Sequence, residues 1–173
     1  MGVHSPFNHA MLSGLELGIF FGLNFILTAE AQGRFWLGVL SWMLTLYIIY
    51  GVFRSALHYR MTECEGEITY MESFRYIVWL FVFASIVATL VRVVYLKWID
   101  SSYLSELLVQ TNQVLEQLKL SAGDRSAVEE SLKNMLQPVR FSLYYMLYDV
   151  FMGVVAGLIL SVMVKRVKIE VKE

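Results

Sequence analysis

Residues 76–98, "YIVWLFVFASIVATLVRVVYLKW", run without a proline or glycine and without a charge before Arg92. A bilayer core takes about 20 apolar residues in helical form, and this stretch is long enough to cross it. Its composition is that of a membrane span with one arginine set inside its end. The rest of the chain agrees: of 173 residues 57% are hydrophobic, 14% aromatic and only 17% charged, and the mean hydropathy is +0.57. That is more apolar than an ordinary soluble domain.

Working outward, three further stretches reach the same length and apolarity: 10–29, 35–57 and 141–164. The expected fold is therefore an all-α integral membrane protein, one membrane domain over 1–173, with four transmembrane helices. The first stretch is expected to remain as a span. No Lys or Arg stands in "MGVHSPFNH" ahead of it, and "LTAEAQGRF" after it is a poor cleavage site.

Lys and Arg concentrate on one side of the four spans. Arg54, Arg60, Arg75, Lys165, Arg166, Lys168 and Lys172 lie there close to span ends. On the other side Arg34, Lys97 and Arg140 flank the spans, and Lys119, Arg125 and Lys133 are offset by acidic residues. This bias places both termini in the cytoplasm. Two aromatic belts match the crossings: Trp36, Trp98, Tyr144 and Tyr145 on one interface, Tyr50, Tyr59, Tyr70 and Phe74 on the other.

The polar stretch 101–137 carries Leu104, Leu107, Leu108, Thr111, Val114, Leu115 and Leu118 at spacings of three and four, which is one face of a helix. "SAGDRS" breaks it, Asp124 or Ser126 can cap a second helix, and Val128, Leu132, Met135 and Leu136 form a second stripe until Pro138 ends it. An extracytoplasmic helical hairpin follows, whose two apolar faces either pack on each other or dock another chain. In the cytoplasmic connection Glu65-Gly66 marks a turn, and Thr69-x-x-Glu72 fits a capping box that starts the third helix ahead of the bilayer.

The runs "VVYLKWIDSSYL", "GEITYMESFRY", "VEESLKNMLQPVRF" and "GVVAGLILSV" resemble a family of four-helix inner-membrane proteins, a domain of unknown function found mainly in Bacteroidetes. The similarity covers nearly the whole chain and is strongest over 66–161. It imports no activity. It implies a bacterial inner-membrane location and proximity to a membrane glycosyltransferase.

Small residues recur every fourth position in two spans: Ala10, Gly14, Gly18 and Gly22 in the first, Gly153, Gly157 and Ser161 in the last. Such stripes let helix backbones approach closely where lipid supplies no hydrophobic drive. They pack either the first span on the fourth or two protomers on each other. Asp149 shares the Gly153 face, and Arg92 shares the small face of Ala84, Ser85 and Ala88. Both lie in the outer half of the bilayer, Arg92 about 7 to 8 Å from Lys97 and Asp149 about 12 Å inward from Phe141. Arg92 is thus a candidate partner for Asp149, each neutralising a charge that is costly in hydrocarbon. The alternative is that Arg92 snorkels to the headgroups.

Glu16 is the remaining intramembrane charge, on a stripe with Ser13, Asn24 and Thr28 opposite the glycines. It reads either as part of a polar path or ligand contact between helices, or as a carboxylate near a span end, protonated or reaching Arg54. No catalytic, cofactor or metal set stands out: His4, His9 and His58 lack metal-ligand spacing with each other or with Cys64, and neither a nucleophile elbow nor a phosphate-binding glycine loop is present. The single Cys64 excludes an intrachain disulfide, and its acidic surroundings in "ECEGE" raise its pKa. A net charge of −1 leaves no basic stripe for nucleic acid.

The expected function is that of a non-enzymatic membrane subunit, in contact with lipid and with a protein partner or a second copy, which binds or positions a partner such as a lipid-linked glycosyltransferase. Behind it stands a small transporter or ion pathway using Glu16, Arg92 and Asp149. An enzyme built from Arg92, Asp149 and Tyr148 ranks last. A pathway needs a continuous polar lining through both leaflets, whereas a scaffold needs only paired charges in a dry bundle.

Overall fold

A computed structural model describes residues 6–117 and 122–167. His4, Leu118, Lys119, Lys168 and Lys172 lie outside the described residues. Among those described there are six helices and no strand: α1 (Pro6–Glu30), α2 (Phe35–Glu63), α3 (Tyr70–Val94, continued by a π-type turn over Tyr95–Ile99), α4 (Tyr103–Gln117), α5 (Ala122–Met135) and α6 (Pro138–Arg166). Four of them are long and apolar enough to cross a membrane: Phe7–Glu30, Phe35–Glu63, Tyr70–Ile99 and Pro138–Arg166.

Local chemistry explains the helix ends. Thr69 Oγ1 accepts from the Glu72 N–H, and Glu72 Oε2 accepts from the Thr69 N–H at 2.9 Å, so the expected capping box starts α3. Ahead of it the chain turns through left-handed backbone at Glu65 (φ 51°) and Gly66 (φ 87°). Pro138 does not end α5, as its position suggested. α5 stops at Met135 and Pro138 opens α6 behind Gln137 as N-cap, where the missing N–H costs nothing. The last span consequently starts before Phe141. α5 begins at Ala122, so Asp124 and Ser126 lie inside its first turns instead of capping it.

α3 is the central helix. Its most extensive contacts are with α1 and with α6; α2 packs chiefly on α1 and meets α6 over a small patch. On the side that carries the chain ends, Leu17, Val52, Tyr59, Tyr76, Leu80, Leu160 and Val164 belong to one buried cluster. At the opposite end Phe25, Ala29, Tyr95, Leu96 and Phe141 enclose Leu104 of α4. The apolar stripe of α4 is therefore divided. Its first turn is buried against the ends of the spans, Gln110 donates to Gln32 Oε1 at 3.1 Å, and Val114 is exposed. α5 is tied to α4 by Arg125, which reaches Glu116 of α4 at 2.9 Å and is also paired with Glu129 of its own helix at 3.0 Å.

Candidate functional site

The charges inside the spans meet where α3, α6 and α1 converge near the α4 end. Arg92 Nη2 donates to Asp149 Oδ2 at 2.7 Å, and both residues are buried. The guanidinium carbon stands 5.5 Å from the centre of the Phe25 ring and 5.1 Å from that of Tyr145. Those ring centres are themselves 5.9 Å apart, so the three groups form a nearly equilateral triangle, two rings roofing one cation instead of sandwiching it. Cation–π attraction of this kind strengthens when water is excluded. Among the described residues Arg92 Nε and Nη1 find no acceptor. Arg92 is held inside the bundle and does not snorkel: only 3% of its side chain is exposed.

What brings the helices close enough is the glycine stripe on each side of α3. A Cβ added at Gly18 would lie 2.6 Å from Val87 Cβ and 2.7 Å from the Ala84 carbonyl oxygen, and one at Gly14 would lie 2.9 Å from the Leu80 carbonyl oxygen. Gly22 faces Val91. On the other side a Cβ at Gly153 would run into the Phe81 side chain, and one at Gly157 would stand 3.1 Å from the Phe74 ring. Neither stripe packs the first span on the fourth. Both press on α3, which places Arg92 of α3 between Phe25 of α1 and Asp149 of α6.

A family model described as "protein of unknown function (DUF4199)" matches residues 9–166. The chain belongs to the DUF4199 family. Comparison with curated proteins and with solved structures finds no match. The matched region takes in all four spans and both glycine stripes.

In this DUF4199 protein the polar stripe of α1 is used by α2. Asn24 Nδ2 donates to Thr45 Oγ1 at 3.2 Å, Ser41 Oγ donates to Asn24 Oδ1 at 2.9 Å, and the Thr28 and Ser41 hydroxyls are 2.8 Å apart. Interhelical hydrogen bonds of this type hold spans together, and Asn24 and Thr28 are thereby separated from Glu16. Glu16 is exposed, with neither Arg54 nor any other described residue at ion-pair or hydrogen-bond distance.

A second polar cluster joins α1, α2 and α3 on the side of the chain ends. The Tyr76 hydroxyl lies 2.9 Å from His9 Nδ1 and 2.7 Å from Ser55 Oγ. Its ring stacks on Tyr59 at 4.3 Å between centres and 8° between planes, and the His9 and His58 rings are 5.4 Å apart. Tyr76 is fully buried. In the sequence Tyr76 marks only the start of a span; His9 in the first span and Ser55 in the second are the signals that point to it. One phenol serving three helices is a structural tie. Among the described residues no three of His, Cys, Asp and Glu come together to hold a metal. Cys64, beside this cluster, has its thiol pushed up above the usual range. Burial is the main cause; the Tyr59 hydrogen bond opposes it, Glu72 and Glu63 add to it and Arg60 opposes it, so of the acids in "ECEGE" only Glu63 contributes, behind burial and Glu72.

Proposed function

We propose that this DUF4199 protein is a non-enzymatic subunit of a bacterial inner membrane which binds or positions a membrane partner. The observation that carries this reading is the Arg92–Asp149 pair, in which the two buried charges neutralise each other under the Phe25 and Tyr145 rings. The Asn24–Ser41–Thr45 and His9–Tyr76–Ser55 clusters are taken up by helix-to-helix hydrogen bonds, and between them the interfaces are filled by Leu80, Phe81 and Ala84. That distribution supports a dry scaffold over a polar path. In this proposal both termini are cytoplasmic and the α4–α5 pair is extracytoplasmic, an orientation supported by Arg54, Arg60, Arg75, Lys165 and Arg166 on the side of the chain ends. A lipid-linked glycosyltransferase is the partner class that the family resemblance implies.

Crosslinking in native membranes followed by mass spectrometry tests the proposal. A single stoichiometric membrane partner is the expected result. Ion or solute flux in proteoliposomes of the purified protein, lost on Glu16→Gln or Asp149→Asn, would overturn it in favour of a transporter.

A further inference from the structure

The ends of α3 and α6 on the side of the chain termini enclose a groove of about 390 Å³ lined by Tyr70, Val162, Lys165 and Arg166. Its two cations are exposed, and no described carboxylate lies at ion-pair distance from either. The groove stands at the first turn of one membrane-crossing helix and the last turn of another, the depth at which lipid phosphates lie. Toward the membrane interior it continues into the exposed apolar surface of Leu158 and Ile159. Tyr70 forms its wall, stacked on Phe74 at 6.3 Å and donating to the Leu158 carbonyl at 3.4 Å.

Two features remove the objections to an anion here. The carbonyl end of a helix repels negative charge, but the Val164 and Val167 carbonyls at the end of α6 are taken by Arg60 Nη1 at 2.7 and 2.9 Å. The acid nearest in sequence to Tyr70 is Glu72, and its carboxylate is turned back onto Thr69 at 2.9 and 2.8 Å. What remains among the described residues is two cations without an acidic partner, an aromatic wall and an apolar runway that leads into the bilayer.

We infer that this groove is a binding site for an anionic phospholipid of the adjoining leaflet, its phosphate held by Lys165 and Arg166 against Tyr70 and an acyl chain lying along Val162 and Leu158. Basic pockets between membrane helices recognise acidic headgroups in this way. The site is the same whichever membrane face the termini occupy, so its test is independent of the functional proposal above.

The experiment uses the full chain in a neutral detergent, with native mass spectrometry and thermal unfolding as readouts and phosphatidylglycerol, phosphatidylcholine or inorganic phosphate as the added probe. Phosphatidylglycerol is expected to persist as a one-to-one adduct and to raise the unfolding temperature, and the other two are not. Lys165→Gln/Arg166→Gln lowers the affinity about 25-fold, a factor of about five for each cation near an anionic headgroup. Val162→Trp, which fills the groove and keeps both charges, also abolishes the adduct. Lys97→Gln/Lys133→Gln removes the same charge at the opposite end of the spans and leaves it intact. Equal binding of phosphatidylcholine, equal stabilisation by inorganic phosphate, loss of the adduct in the Lys97/Lys133 variant, or its survival in either groove variant would each overturn the site.

Discussion

Arg92 of α3 and Asp149 of α6 are 57 residues apart in the chain and 2.7 Å apart in space, and their side chains are 3% and 9% exposed. Replacing either one alone by leucine strands a charge in the bundle and is expected to destabilise by about 3 to 5 kcal/mol. The double replacement removes both charges and should recover much of that loss. A double-mutant cycle on unfolding in detergent or lipid measures the coupling. A value within about 0.5 kcal/mol of zero, the spread for independent sites, would show that the two do not act as a pair.

Because both glycine stripes press on α3, the sites differ sharply in tolerance. Gly18→Ala places a methyl against the Ala84 backbone and Gly153→Ala places one in the Phe81 side chain, and each should cost about 1 to 3 kcal/mol as overpacking. Gly38→Ala meets only Ala31 Cβ at 4.0 Å and should be tolerated. Thermal stability of the three variants decides the matter; a destabilised Gly38 variant beside unchanged Gly18 and Gly153 variants would contradict the packing described.

Tyr76→Phe keeps the ring against Tyr59 and deletes the hydroxyl shared with His9 and Ser55. A loss of about 1 kcal/mol is expected, the net worth of a typical hydrogen bond, with more if the abandoned partners stay dry. Ser55→Ala should cost less when added to Tyr76→Phe than on its own, since both remove the same bond. Strict additivity would mean that the cluster is not one unit.

Cys64 lies outside the membrane-crossing segments, and its thiol is pushed up by burial. A raised pKa leaves less thiolate at a given pH, so alkylation of the folded protein by iodoacetamide should be slower at neutral pH than that of a cysteine peptide, and the pH–rate curve should rise later. Equal rates would show the site to be open and unperturbed.

The long spans were legible because hydrophobic length is a local property, and so was the Thr69–Glu72 box, which needs only four consecutive residues. Arg92 and Asp149 could be matched through depth, since a charge in hydrocarbon demands a partner and few are on offer. The glycine stripes announced close packing without naming their target: a small face fits any neighbour, and only the assembled helices show that both serve α3. Asn24 and Thr28 read with Glu16 as one polar stripe, because the register of α1 on α2, which hands the first two to Ser41 and Thr45, depends on the short connection between them. Tyr76 was hidden for another reason. A tyrosine near a span end resembles an interfacial anchor, and its bond to His9 bridges 67 residues.

The separation of Arg92 and Asp149 along the chain also sets a timetable. α1 and α2 have their own hydrogen-bonded seam and can associate as soon as both have left the ribosome. Arg92 follows without its carboxylate, and at about 5 to 20 residues per second of synthesis the 57 residues to Asp149 take roughly 3 to 11 s. For that interval the third helix has a cation without its partner, and an unmatched charge in hydrocarbon is expected to reach for the headgroups. The ion pair is then expected to be the closing catch of membrane assembly, and a chain truncated before Asp149 to seat its third helix closer to the headgroups, which cysteine accessibility near Arg92 would measure.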